Sequence, residues 1–163
     1  MGVRKMEDFI FRQITFVRGQ TLKLLDGITE EMADQIPEGF RNNIRWNLGH
    51  VYVVLERLAF HFSNQSQQLP DGYKEQFGLG TSPLSLPESV TVPTLHELKT
   101  LLQEQPERIR AVLSQNLQVK ADPPYTTSSG MTLETPEQLL SFSIYHEGMH
   151  ISTIKMYKKL LSN

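Results

Sequence analysis

The chain has no cysteine among its 163 residues. Disulfides, thiolate metal sites and a cysteine nucleophile are excluded together, so any metal must be held by nitrogen and oxygen. Excess charge of either sign is also missing: 16 Lys and Arg stand against 18 Asp and Glu, a formal net charge of −2. A surface that tracks phosphates is built from basic runs, and none is present, so nucleic acid is not an expected partner. No apolar stretch approaches the roughly 20 residues of a membrane span, and Met1 to Glu7 carries charges where a signal peptide would be apolar. These absences point to a soluble cytoplasmic protein with no membrane partner. With 39% apolar residues the chain can bury one sizeable core, and residues 1–163 are expected to form a single domain.

What is present is helical periodicity. Ile10, Ile14, Val17, Thr21, Leu24, Leu25 and Ile28 recur at three and four, which predicts a first helix from about Lys5 to Ile28. Phe9 and Phe16 fall on its opposite side, as residues facing another subunit would. Thr29-Glu30-Glu31 reads as the cap and acidic first turn of a short helical piece ending by Pro37. A second long helix is expected from a cap at Asn42 or Asn43 to about Asn64. It is apolar almost all round, broken mainly by Arg45 and Glu56, which predicts cover on both sides and supports a homodimer. Residues 65–93, rich in Pro and Gly, read as a long connection. Thr94-Leu95-His96-Glu97 is a capping box opening a third helix to about Asn116, kinked at Pro106. Gln118 to Glu134 reads as a crossing loop without a defensible strand. Thr135-Pro136-Glu137-Gln138 then starts a fourth helix that continues to the terminus. The expected class is all-α, a four-helix bundle with long crossing connections.

The chemistry concentrates in Tyr145-His146-Glu147-Gly148-Met149-His150. His146 and His150 lie four apart on one helical face, within about 60° of Leu139, Phe142, Met149 and Tyr157. Two imidazoles in the middle of an apolar stripe need partners. On the second helix His50 faces inward with Trp46, Val53, Val54, Arg57 and His61. One reading joins His50, His146 and His150 on a single ion, since neutral imidazoles suit zinc, nickel, iron or cobalt, and three protein ligands leave a position open for chemistry. The other reading makes them core histidines bonded to Asn, Tyr or backbone groups. His61 lies about 16 Å further along its helix and is too far to share the ion; His96 falls in an exposed first turn. His146-Glu147-Gly148-Met149-His150 also fits the H-E-x-x-H protease signature, but Ile151 to Asn163 holds no His, Asp or Glu as a third ligand. Glu147, at the edge of the apolar face, is either a partner for an imidazole or solvated.

Trp46-Asn47-Leu48-Gly49-His50, followed far downstream by Tyr145-His146-Glu147-Gly148-Met149-His150, resembles the DinB family, the DinB/YfiT-like metalloenzymes. The resemblance extends to Gly80-Thr81-Ser82-Pro83 and Thr94-Leu95-His96-Glu97-Leu98 and so spans essentially the whole chain. It implies a four-helix bundle, commonly dimeric, with a three-histidine site for nickel or zinc at His50, His146 and His150. Characterised relatives include thiol-dependent enzymes that use bacillithiol or mycothiol, among them S-transferases and a maleylpyruvate isomerase; others are known as DNA-damage-induced proteins. The expected function is therefore that of a divalent-metal-dependent enzyme acting on a small-molecule thiol and an electrophile: a bacillithiol S-transferase, or a related hydrolase or isomerase using an activated thiol or water. The alternative is a non-catalytic, dimeric metal-binding bundle serving as sensor or stress-response protein. Arg57 is a candidate partner for a substrate carboxylate or a residue that snorkels to the rim. Trp46 and Tyr157 are expected to line the pocket, and the 65–93 connection to cover it.

Overall fold

The computed structural model of the protein describes residues 2–162, with side chains from residue 9 onward. Helix α1, Gly2–Lys23, gives way to turns that end in Gly27 at φ +77°, a left-handed position that suits glycine. It is thus shorter at its C-terminal end than the periodicity predicts. Helix α2, Glu30–Asp34, is capped by Thr29, whose hydroxyl accepts the Met32 N–H at 3.1 Å. Helix α3, Ile44–Glu56, is capped by Asn43, whose Oδ1 accepts the Trp46 N–H at 2.7 Å. The long helix expected to reach Asn64 changes character at Arg57, where a π-helical turn, Arg57–His61, follows.

The connection that sequence left without structure holds a short helix α4, Tyr73–Phe77, and a 3₁₀ turn, Pro83–Ser85. Helix α5, Leu95–Leu113, opens in the predicted capping box: Glu97 N–H donates to Thr94 Oγ1 at 3.2 Å, and Thr94 N–H donates to Glu97 Oε2 at 2.6 Å. It runs through Pro106 as one helix. The second loop, expected to hold no strand, contains an antiparallel pair, β1 Tyr125–Thr126 and β2 Thr132–Leu133, with Tyr125 opposite Leu133. Two residues per strand are too few to display a period of two, and the pairing is closed by the turn bonds from Thr127 N–H to Met131 O and from Gly130 N–H to Thr127 O. Helix α6, Pro136–Leu161, begins with Thr135 as cap and proline in its first turn.

Helices α1 and α3 each pack against both α5 and α6, so the four long helices close a ring. One part of the core joins Ile44, Leu48, Tyr52, Leu98, Leu102 and Ile154; another joins Ile10, Ile14, Leu55, Ile109, Leu113 and Leu140. Each such side chain contributes about 1.5–3 kcal/mol by leaving water. The far side of α3 is covered from within the chain by α2, α4 and α5, and Leu48, Tyr52, Leu55 and Ala59 are buried there. Its all-round apolar character therefore needs no second subunit. Arg45 and Glu56, the two interruptions, are buried and paired, with Asp34 and Glu30 on one side and Arg108 on the other. No helix among the described residues is long and apolar enough to cross a membrane.

Candidate metal centre

The packing of α3 against α6 brings the three histidines together. His146 Nε2 lies 3.2 Å from His50 Nε2 and 3.2 Å from His150 Nε2, and the donor atoms of the group all fall within 4.8 Å of one another. Nitrogens bound tetrahedrally to zinc at about 2.0–2.1 Å stand roughly 3.3 Å apart, so the spacing suits an ion at their centre.

The other ring nitrogens decide which lone pairs are free. His50 Nδ1 lies 2.6 Å from the Phe77 carbonyl, an acceptor only, so this nitrogen donates and the neutral ring keeps its lone pair at Nε2. His150 Nδ1 lies 2.7 Å from Asn47 Oδ1, and the orientation of that amide follows from its Nδ2, which donates to the Asn43 carbonyl at 2.8 Å. Both histidines thus carry donor protons outward and lone pairs inward. Each of the two readings has a counterpart at different atoms: Nδ1 of His50 and His150 meets backbone and Asn as core histidines would, and the Nε2 atoms meet one another in a group that could hold an ion. A proton on His146 Nε2 can serve only one neighbour at a time, whereas a divalent cation serves all three. The donor set fits a metal ion.

Local sequence explains how the Phe77 carbonyl arrives there. A Cβ on Gly49 would stand 2.4 Å from the Phe77 ring, so only glycine lets the α4 segment lie this close to α3. Trp46 stacks on His50 with ring centroids 4.4 Å apart and planes 13° off parallel, and its Nε1 donates to Thr81 Oγ1 at 2.9 Å. The 65–93 connection, expected to cover the pocket, supports His50 and Trp46 through Phe77 and Thr81 and contributes Leu79 to the lining of the neighbouring cleft. Tyr157, expected in the pocket, is buried in the core instead and meets the exposed Phe40 edge-on. His61 and His96 are exposed and stand outside the group.

Burial lowers all three histidine pKa values. It brings His146 down to about 3, with His150 and His50 adding repulsion, and His150 down to about 4, with His50 adding repulsion; His50 is lowered by burial against the opposing Phe77 bond. Near neutral pH the rings are neutral and their lone pairs available. Since the native values lie below the ordinary 6.5, the unfolded chain takes up protons first. Metal-free protein is expected to have full stability above about pH 6.5 and to lose it as pH falls toward 4, by about 1.4 kcal/mol per pH unit for each histidine protonated only on unfolding. Urea midpoints of chelator-treated protein test this; a midpoint unchanged between about pH 7 and 5 contradicts it.

Glu147 is neither an imidazole partner nor solvated. It is buried and turned toward α1, where Arg18 holds it through Nε at 2.9 Å and Nη2 at 3.2 Å, and Thr21 Oγ1 donates to it at 2.6 Å. Arg18, only 1% exposed, also donates to the Leu102 carbonyl and to Gln105 Oε1. Gln105 continues to Glu56, which Arg108 pairs at 2.8 Å. A polar ladder thus crosses the bundle beside the histidines. Its sequence signal was Arg18 itself, four after Ile14 and three before Thr21, a charge inside the apolar stripe of α1.

His50 and His146 form part of the wall of a cleft of about 1360 Å³. Arg57 and Val54 of the α3 face, Phe9 and Ile10 of α1, and the β1–β2 hairpin complete its walls. The hairpin segment carried no functional signal in the sequence.

The sequence model of the DinB superfamily matches residues 13–154. No curated protein matches the chain. Among solved structures, a conserved protein from Enterococcus faecalis superposes with a TM-score of 0.66 at 15% identity, covering 94% of this chain and 95% of that one. At that identity the likeness speaks for the fold.

Proposed function

This chain belongs to the DinB superfamily, and on that premise we propose that it is a divalent-metal-dependent enzyme that joins a small thiol, such as bacillithiol, to an electrophile. The observation that carries the reading is the convergence of three neutral imidazole nitrogens beside a cleft wide enough for two small molecules. His50, His146 and His150 would hold the ion, with zinc or nickel suited to all-nitrogen ligation. When bound, such an ion supplies Lewis acidity that lowers the pKa of a thiol or water near neutral pH. The chain's own residues do the rest: Phe77 and Asn47 fix the ring orientations, and Trp46 shields one face of His50. Having no cysteine, the protein must take its sulfur from a cosubstrate. In the transfer the S–H proton passes to solvent, a sulfur–carbon bond forms and the bond from carbon to its leaving group breaks.

Tag-free protein loaded with zinc or nickel is expected to conjugate bacillithiol with chlorodinitrobenzene, and to lose that activity on chelation or with His50→Ala. Conjugation that survives His50→Ala sinks the proposal, and bound metal without turnover favours the sensor alternative. A second copy of the chain is the proposed partner across α1 and α6, where Phe16, Met156 and Leu160 stay exposed. Sedimentation at micromolar concentration should then give a dimer; an 18.7 kDa species would remove it.

A further inference from the structure

We infer that Arg57 anchors an anionic group of the substrate, so that the cleft takes an amphiphilic organic anion, a carboxylate, phosphate or sulfonate on an apolar body. Arg57 is the only Lys or Arg, and Glu137 the only carboxylate, among the described residues that line the cleft. Arg57 has no ion pair among the described residues. Its guanidinium is nonetheless placed: it lies 5.4 Å from the ring centre of Phe62 and 5.6 Å from that of Tyr125, between the end of the π-helical turn and the hairpin. A cation already held by two rings loses little freedom on pairing with an anion, and its fork geometry matches carboxylate and phosphate oxygens.

Position gives the ligand its length. Arg57 follows His50 by seven residues, which returns it to the same helical face about 10 Å along the axis. The cleft that both residues line also exposes Phe9, Leu79, Met131, Tyr145 and Met149, an apolar border for the ligand's body. The anion would therefore sit at one end and the reacting atom at the other, beside the histidines. The inference rests on the metal-centre reading for which end reacts; binding of the anion at Arg57 does not depend on it.

The test uses the full chain, zinc-loaded, and two fluorescent dyes of similar body: anilinonaphthalene sulfonate and the neutral N-phenylnaphthylamine. Arg57→Gln is expected to weaken the sulfonate by about tenfold or more and to leave the neutral dye within about twofold, with Arg57→Lys recovering part of the loss. Octanoate or octyl phosphate should displace the sulfonate from the wild-type protein where octanol does not, the better competitor naming the headgroup. Equal losses for both dyes, an unchanged sulfonate affinity in Arg57→Gln, or no saturable sulfonate binding to the wild type overturns the inference. Zinc affinity is measured on the same samples by chelator competition. His50→Ala retaining zinc would end the metal-centre reading while the dye comparison still decides Arg57, and an Arg57→Gln failure would leave zinc binding standing.

Discussion

Replacing His146 with alanine is expected to lower affinity for zinc or nickel by a hundredfold or more. His146 is the central donor, its Nε2 being 3.2 Å from each of the other two. Loss of an outer hydrogen-bond partner of a ligand costs about 10–100-fold in affinity, and removal of the ligand itself must exceed that. Asn47→Ala supplies the comparison, since it leaves all three imidazoles in place and removes the acceptor for His150 Nδ1, together with the Asn47 bond to the Asn43 carbonyl. Competition against a chromophoric chelator reads both, and the order His146→Ala worse than Asn47→Ala is the result expected. A His146→Ala protein within tenfold of wild type would mean that the three rings do not share an ion. Thermal unfolding offers an independent reading: excess zinc should raise the Tm of the wild type by mass action and leave that of His146→Ala unmoved.

Arg18→Ala is expected to destabilise the protein by about 3–5 kcal/mol, because it leaves the buried Glu147 carboxylate without its countercharge. At about 2–4 °C per kcal/mol for a chain of this size, Tm should fall by roughly 10 °C. The double variant Arg18→Met with Glu147→Met should recover most of the loss, since two apolar side chains leave no buried charge. A loss in Arg18→Ala below about 1 kcal/mol would show that water reaches the pair and that the ladder is peripheral to stability. Arg18 and Glu147 are 129 residues apart in sequence. Their bond ties α6 to α1 one residue beyond His146 and three before His150, so the register of the histidines on α6 is held through a residue that is not itself in the histidine group.

The histidine group was legible because each imidazole stands at a core-facing helical position, and period alone reveals that. The caps at Asn43, Thr94 and Thr135 were legible for a similar reason, each being a local pattern within four residues. What escaped was long-range. Glu147 was read from its place on its own helix, and nothing within α6 announces an arginine on α1. Gly49 stood in a recognisable motif, yet its physical role depends on Phe77, which lies in a stretch without periodicity. The hairpin at residues 125–133 is too short for an alternating pattern, and the π-helical turn at Arg57 leaves no compositional mark. Helix α3 was rightly read as covered on both sides, but the cover came from within the chain.

The supports of His50 and His150 differ in kind, and this bears on how the centre tolerates genetic change. Asn47 holds His150 with a side chain, so a single codon change can delete that contact. Phe77 holds His50 with its main-chain oxygen, which every amino acid carries. In a saturation library selected for metal retention, position 47 should collapse to very few residues. Position 77 should accept any residue that still fills the space above Gly49, which places the heritable information for His50 orientation in a glycine and a volume.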